Sequence, residues 1–263
     1  ILSLGVICLE NLLIEWLSFD GLILFGIGLL AALVGVMFGA AGFVLLPSLL
    51  LVGIPIHATV AINKFATGIS SFSTVIVLTL KKRVQLKKMI PFMLIAAVGG
   101  ISGAFLATRL SEQTMNIVAC IVLIVMFIFV LKSNKKAVVN EQPEIEEKTT
   151  LIAPFLIGIY DGGLGTGSAL LNITYFLKKQ FSYVMAAEMT RFVMFASCTT
   201  AFLFYLFYGI VNWGVAVPVA VGSIVGSQIG LKIIPYLKGK WIEILLPIIF
   251  FLLIVQVIVD LLF

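Results

Sequence analysis

The chain has 263 residues and a formal net charge of +5; 62% of its residues are hydrophobic, only 11% are charged, and its mean hydropathy is +1.22. A soluble domain carries about 25% charged residues, so this composition excludes an ordinary globular protein, a disordered chain and a nucleic-acid-binding domain with an exposed basic face. Several apolar stretches exceed the roughly 18 residues that indicate a membrane helix, which predicts an all-α polytopic membrane protein.

The apolar stretches form two groups of four, separated by a polar segment. Residues 1–20 contain acidic side chains and are predicted to form an N-terminal interfacial segment or a partial span. Residues 21–131 are predicted to form a first membrane repeat and residues 151–263 a second one. Between them, residues 132–150 are rich in charge and are predicted to be a flexible cytoplasmic linker.

The two groups share glycine and cation motifs in the same order, at offsets of 123 or 127 residues. The matching motifs are Gly35-x-x-x-Gly39-x-x-Gly42 with Gly158-x-x-x-Gly162-x-x-Gly165, Asn63-Lys64-Phe65 with Thr190-Arg191-Phe192, and Gly99-x-x-x-Gly103-x-x-x-Ala107 with Gly222-x-x-x-Gly226-x-x-x-Gly230. Any one motif is weak, because small residues also recur wherever membrane helices pack closely. Three motifs at nearly constant offsets indicate an internal duplication.

The loop charges predict that the second repeat is inverted relative to the first. Residues 81–88 carry five basic side chains, whereas the corresponding residues 209–212 carry none. Conversely, residues 53–56 carry none, and their counterpart holds Lys178 and Lys179. Because basic loops stay on the cytoplasmic side of the inner (plasma) membrane, matched loops of opposite charge character place the repeats in opposite orientations. The basic loop of the first repeat is therefore predicted to be cytoplasmic, like the linker.

The first stretch of each repeat is predicted to be a re-entrant helical hairpin, followed by three transmembrane helices. In the second repeat, the glycine-rich residues 162–167 divide the stretch into two arms of about 11 residues, each about 16 Å long and half a bilayer. Residues 39–42 are the corresponding break in the first repeat. Irregular backbone at membrane depth must be buried in protein or line a cavity, so the two hairpin tips are expected to meet near the midplane.

Two basic residues, Lys64 and Arg191, lie at corresponding positions within apolar segments. A cation at membrane depth costs about 2.5–3.5 kcal/mol on insertion scales, and inverted symmetry would bring both cations to one central site. There they would bind an anion. The alternatives are structural ion pairing with Asp161 or Glu188, and extension of the Lys64 side chain to the membrane interface.

Hairpin tips and neighbouring polar groups would complete an anion site, because free N–H groups at helix N-termini attract oxyanions. The predicted substrate-binding residues are Lys64, Arg191, Asn63, Thr190, Thr67, Gly42, Gly165, Thr166 and Gly167. Two acidic residues at depth, Asp161 and Glu188, are candidates for proton coupling or for neutralising the site. His57 is the one histidine, the three cysteines are isolated, and no G-x-x-x-x-G-K-[S/T] motif occurs. Neither an enzyme, a metal site nor a cofactor is therefore predicted.

These motifs resemble the TauE/SafE family of sulfite and organosulfonate exporters, over about residues 21–260. The resemblance rests on Gly35-x-x-x-Gly39-x-x-Gly42 leading to Pro47, on Asn63-Lys64, on Gly158-Ile159-Tyr160-Asp161-Gly162 followed by Gly165-x-Gly167, and on Thr190-Arg191. The family has a Thr/Asn-Lys element in each half. Lys64 matches it directly, whereas Arg191 keeps the charge and offers a planar fork of donors.

The resemblance implies a secondary transporter that exports sulfite or an organosulfonate such as sulfoacetate by alternating access. The alternatives are an anion importer, an anion channel and a non-transporting membrane scaffold. The expected partners are a small anionic sulfur-containing substrate and the lipid bilayer, with no nucleic acid. The small-residue faces on the third helical segment of each repeat would serve internal packing or a homodimer.

Overall fold

The computed structural model describes residues 19–115, 117, 118, 121 and 151–236, and these contain helices and no strand. The predicted linker, most of the predicted N-terminal segment and most of the last predicted helix of each repeat lie outside the described residues. The helices are α1 (Phe19–Phe38), α2 (Ala41–Leu51), α3 (Ile56–Leu80), α4 (Leu86–Ala107), α5 (Ile152–Gly163), α6 (Ser168–Lys178), α7 (Tyr183–Phe207) and α8 (Trp213–Ile233).

Among the described residues, five helices are long and apolar enough to cross a membrane: α1, α3, α4, α7 and α8. This confirms the predicted all-helical, multi-pass membrane fold. The shorter helices α2, α5 and α6 contain 11, 12 and 11 residues, and each covers only about half of a bilayer.

The glycine-rich breaks interrupt the chain where the sequence predicts. Between α5 and α6, Gly165 and Gly167 adopt φ angles of +76° and +78°, a region that glycine enters without a steric penalty. Between α1 and α2, Gly39 has a φ of +73°. The first hairpin is asymmetric, however, because α1 has 20 residues and is long enough to span. No break precedes Gly39, so the apolar run of α1 forms one continuous helix.

Helices α3 and α7, which carry the two cations, pack against each other in opposite directions. The ring of Phe65 lies 4.7 Å from that of Phe202, and the ring of Phe72 lies 5.2 Å from that of Phe195. Going from the first pair to the second, the residue number rises along α3 and falls along α7, so the two helices are antiparallel. An inverted repeat requires this relation, although the domain boundaries and the orientation of the repeats in the membrane stay predictions.

The small-residue faces serve internal packing between helices. A Cβ atom added at Gly103 on α4 would lie 1.9 Å from the carbonyl oxygen of Ile159 on α5, and one added at Gly226 on α8 would lie 2.1 Å from that of Leu29 on α1. Glycine therefore lets backbones approach closely on both sides of the protein.

Replacing Gly226 by alanine is expected to lower the free energy of unfolding by about 1–3 kcal/mol, because the added methyl group must push α8 away from α1. Thermal melting of the purified protein measures this effect. Gly26→Ala on α1 is the matched control, since a Cβ there meets no atom within 4 Å and alanine favours a helix by about 1 kcal/mol. Equal melting temperatures for the two variants would contradict the close packing of α1 and α8.

Candidate functional site

Lys64 lies in the middle of α3, and its side chain stays in the protein interior. The residue is 1% exposed, and its Nζ donates a hydrogen bond to Oδ1 of Asp161 on α5 at 3.1 Å. Asp161 is also 1% exposed. The lysine does not extend to the membrane interface, and the structure instead shows a fully buried ion pair.

The carboxylate of Asp161 accepts hydrogen bonds on both oxygens. Besides Lys64, Ser168 at the start of α6 donates to Oδ1 at 2.6 Å. On α7, Ser197 donates to Oδ2 at 2.5 Å and the thiol of Cys198 donates to Oδ2 at 3.2 Å. Three helices, α3, α6 and α7, thus donate to a carboxylate carried by α5, and this set of donors satisfies the requirement that a buried charge be paired and hydrogen-bonded.

Gly165 allows the ion pair to form at this place. Its φ is +76°, and an added Cβ would lie 1.9 Å from Nζ of Lys64 and 2.8 Å from Oδ1 of Asp161. Any side chain here would therefore occupy the position of the ammonium group. The glycine of the hairpin break acts by leaving room, as well as by permitting the turn.

Arg191 on α7 is the second buried cation, with 3% of its surface exposed. Its Nη2 donates to the carbonyl oxygen of Gly35 at 3.0 Å. Its Nε has no hydrogen-bond partner within the described part of the chain. A buried guanidinium with an unused donor has capacity for another acceptor, because its fork of N–H groups matches oxyanions.

Both cations line one small cavity at the two hairpin breaks, as the sequence predicts. The predicted residues that line it are Gly42, Asn63, Lys64, Thr67, Gly165 and Arg191. The cavity measures about 10 Å³, which is the volume of one water position. An oxyanion with several oxygen atoms is larger than this space, so binding one here would require Lys64 to separate from Asp161 or the helices to shift.

Three predicted substrate-binding residues do not line this cavity. The hydroxyl of Thr190 donates to the carbonyl oxygen of Ala186 at 2.8 Å. Thr166 is fully buried beside Gly42, and its carbonyl oxygen accepts a hydrogen bond from the hydroxyl of Tyr160. Gly167 is the residue before α6 and shapes the turn.

The two acidic candidates occupy different places. Asp161 lines the cavity, whereas Glu188 forms an ion pair with Arg83 at 2.7 Å. Glu188 is buried and Arg83 is 38% exposed, so this pair joins the interior of α7 to the basic loop between α3 and α4. Glu188 therefore does not act as the partner of Arg191, although it lies one turn before it.

Six further residues line the cavity without having been predicted as site residues, and three of these have polar or sulfur-containing side chains: Ser168, Met194 and Cys198. Met194 and Cys198 follow Arg191 by three and seven positions, which places all three on one face of α7. The helical period was thus the signal that could have found them. Cys198 is more than an apolar core residue, because its thiol contacts a carboxylate.

The amino-acid sequence matches a known protein family. The family model described as "Sulfite exporter TauE/SafE" matches residues 24–257. Curated relatives include "Probable membrane transporter protein ORF9" of a Sinorhizobium species, 30% identical over 227 residues that cover 85% of each chain. Another is "Probable membrane transporter protein YdhB" of Bacillus subtilis, 26% identical, covering 80% of this chain and 87% of the relative.

A relative from Haemophilus influenzae, also named "Probable membrane transporter protein", is 25% identical over 83% of this chain and 86% of its own length. No solved structure matches the chain. The family match covers most of the chain and includes both hairpin breaks and both buried cations. The chain therefore belongs to the TauE/SafE family of membrane transporters.

Proposed function

We propose that the protein is a secondary transporter that moves a small sulfur-containing oxyanion, sulfite or an organosulfonate such as sulfoacetate, out of the cell by alternating access. The observation that carries this proposal is the cavity between the hairpin breaks, to which both Lys64 and Arg191 contribute. The names of the relatives support the transporter class, and the description of the family supports sulfite or a related anion as the type of substrate.

The donors around the cavity suit an oxyanion. Arg191 has an unused Nε, and Lys64 is a point charge with three donors, of which Asp161 takes one. The helix α2 begins at Ala41 and α6 at Ser168, and both residues line the cavity. Their N-termini bring partial positive charge to the same place.

Asp161 competes with the substrate for Lys64. The cavity of about 10 Å³ has no room for an anion beside the ion pair, so an anion that binds Lys64 there would take the place of the carboxylate. The released carboxylate would then either stay with Ser168, Ser197 and Cys198 or take up a proton. The second outcome would couple anion movement to protons, and we assign Asp161 this role in preference to Glu188, because Glu188 does not line the cavity.

Export fits the electrical driving force across an inner (plasma) membrane. An inside-negative potential is worth about 2.3 kcal/mol per elementary charge per 100 mV, and it expels an anion. Efflux needs no further energy source, whereas import of the same anion requires coupling to protons or sodium. An importer is the second candidate, and the direction of flux in proteoliposomes with an imposed potential separates the two.

Anion-dependent melting of the purified protein tests the site. Sulfite, sulfoacetate, sulfate and chloride are compared, and a ligand at 100 times its dissociation constant should stabilise the protein by about 2.7 kcal/mol. We expect a selective increase in melting temperature with a sulfur oxyanion, and loss of that increase in Lys64→Met and Arg191→Met. Arg109→Gln is the matched control, because Arg109 is exposed and lies over the ring of Phe105.

Four outcomes would overturn parts of this proposal. If no anion raises the melting temperature, the proposed anion site is wrong. If the wild type and both variants show equal increases in melting temperature, the anion binds elsewhere. Flux in proteoliposomes that does not saturate with substrate concentration indicates a channel. Wild-type protein that binds anions but shows no flux is a membrane scaffold.

A further inference from the structure

Glycine contacts join each hairpin to a helix of the other predicted repeat. A Cβ atom added at Gly222 on α8 would lie 2.0 Å from the carbonyl oxygen of Phe25 on α1. One added at Gly99 on α4 would lie 2.6 Å from the carbonyl oxygen of Phe155 on α5. The next glycine of the motif on each helix makes the same kind of contact. Backbones this close leave no space for side chains between them, so each of these helix pairs is a tightly packed unit.

The helices that carry the two cations pack on the same units. Gln228 on α8 donates a hydrogen bond from Nε2 to Oγ of Ser73 on α3 at 2.6 Å. On the other side, a Cβ added at Gly100 on α4 would lie 2.4 Å from the carbonyl oxygen of Ser197 on α7. With the short helices of the hairpins, the described helices therefore form two bodies: the α1 body contains α1, α2, α3 and α8, and the α5 body contains α4, α5, α6 and α7.

Two buried apolar clusters each lie within one body. Their members are Ala169, Met194 and Cys198 in the α5 body, and Leu24, Ala31, Leu45, Leu49, Ile62, Ala66, Ala216 and Val219 in the α1 body. The division that the glycine contacts indicate is thus also present in the apolar packing.

Two other buried clusters contain side chains of both bodies. The loop-side cluster includes Leu78, near the end of α3 that leads into the basic loop, and Phe192 of α7. The opposite cluster includes Val60, near the start of α3, and Tyr205, near the end of α7. On α3, Lys64 lies between the two clusters. Each cluster therefore closes one end of the small cavity that both cations line, the polar cavity.

Both buried cations take part in contacts between the bodies. Lys64 of the α1 body pairs with Asp161 of the α5 body. Arg191 of the α5 body donates to the carbonyl oxygen of Gly35 in the α1 body. Side-chain contacts of this kind can break and form again while the helices within a body stay packed.

The backbones of the two bodies approach each other most closely beside the polar cavity. A Cβ added at Gly39, which lines the cavity, would lie 2.7 Å from the backbone nitrogen of Leu170 on α6. Further away, at Gly68 on α3, an added Cβ would lie 3.3 Å from Oγ1 of Thr199 on α7. Contact at the centre, with an apolar cluster at each end, suits two rigid bodies that tilt about the cavity.

We infer that the α1 body and the α5 body are the two moving parts of the transporter, so that the parts that move are not the two repeats of the sequence. Each body combines the hairpin and the cation-bearing helix of one repeat with the third helical segment of the other. Tilting would separate either the loop-side cluster or the opposite cluster, and would open the polar cavity to one side of the membrane at a time. This inference rests on the proposed transport function.

Disulfide cross-links test which helices move together. The background is Cys8→Ser, Cys120→Ser and Cys198→Ser, which keeps a hydroxyl donor at position 198. Within the α1 body, Val36→Cys with Gly230→Cys joins α1 to α8. A Cβ at Gly230 would lie 3.0 Å from that of Val36, close to the separation of about 3.5–4.5 Å in a disulfide.

Between the bodies, Gly68→Cys with Thr199→Cys joins α3 to α7. The readout is flux of sulfoacetate in proteoliposomes, because sulfite itself cleaves disulfides. Oxidation should abolish flux in this second variant and leave it unchanged in the variant with cysteines at positions 36 and 230. The reduced form of each variant is its matched control, and reduction with dithiothreitol should restore the lost flux.

Both cross-links connect the two predicted repeats, so a transporter whose repeats move as bodies would be blocked by both. Loss of flux when α1 is joined to α8 would therefore overturn the inference. Undiminished flux when α3 is joined to α7 would overturn it as well, because those helices must then move together.

Distances between spin labels separate this inference from the proposed function, because they need no flux. Labels at Leu30 on α1 and Ile101 on α4 lie on one repeat but on different bodies, whereas labels at Leu30 and Val221 on α8 lie on different repeats but on one body; all three residues are exposed. In nanodiscs, the first distance should have more than one population and the second a single one. The reverse pattern, or a single population for both, makes the inference wrong. If the expected pattern occurs but the wild type transports no sulfur anion, the two bodies stand and the proposed function is wrong.

Discussion

Asp161→Asn is expected to lower the free energy of unfolding by about 3–5 kcal/mol, because it leaves the ammonium of Lys64 buried without a counter-charge. An amide has only one acceptor oxygen, so either Ser168 or the pair Ser197 and Cys198 also loses its acceptor, and the loss of stability includes this hydrogen bonding as well as the charge pair. Thermal melting of the purified protein measures the change. Few single substitutions away from the packed core of this protein should have a larger effect on stability.

A second substitution shows whether the pair serves folding or function. Adding Lys64→Met to Asp161→Asn removes the isolated charge and is expected to restore most of the lost stability, since neutral replacements of buried ion pairs are often well tolerated. Anion-dependent stabilisation should be absent in this double variant, because the ammonium of Lys64 is gone. If Asp161→Asn melts like the wild type, another group must compensate Lys64, and Asp161 is not its main partner.

Gly165→Ala is expected to reduce anion affinity by about 10- to 100-fold, because ångström-scale displacement of a binding group has effects of this size. The new Cβ would lie 1.9 Å from Nζ of Lys64, which forces the ammonium out of its position. The left-handed backbone at this residue adds a conformational cost of about 1–2 kcal/mol. Titration with sulfite or a sulfonate measures the loss of anion affinity separately from the conformational cost, which lowers stability.

Gly163→Ala is the matched control for this experiment. Gly163 lies two residues earlier, at the end of α5, and the nearest atom to an added Cβ is the carbonyl oxygen of Gly103 at 3.5 Å. Anion affinity should be close to that of the wild type. Equal losses at both positions would mean that the hairpin break is sensitive to any substitution, and that room for Lys64 is not the reason.

The fold was predictable because membrane helices leave strong local signals. Long apolar runs gave the spanning helices, and the glycines of residues 162–167 located the second hairpin break. The length of α1 was harder to predict. The repeat relation compares α1 with the short helix α5, but the apolar run before Gly39 is uninterrupted and forms one long helix. The length of α1 therefore follows from its local composition and not from its relation to the second repeat.

The site was predictable only in part. Lys64 and Arg191 were identifiable because cations are costly in apolar segments, and both line the polar cavity. Which acid neutralises which base depends on tertiary packing across long separations: Lys64 and Asp161 are 97 residues apart, and Arg83 and Glu188 are 105 apart. Proximity in the sequence favoured Glu188 as the partner of Arg191, but in the structure Glu188 pairs with Arg83 of the basic loop.

The ion pair between Lys64 and Asp161 would also determine which step of the proposed transport cycle senses voltage. These two charges cancel, so among the described residues around the polar cavity Arg191 leaves one net positive charge. If Asp161 stays ionised, a bound monovalent anion would neutralise this charge, and the loaded carrier would reorient with no net charge. In an alternating-access cycle the electric field would act on the return of the unloaded, cationic carrier, which an inside-negative potential draws inward. Export would therefore be electrogenic through its resetting step, and hyperpolarisation would speed turnover without changing the affinity for substrate.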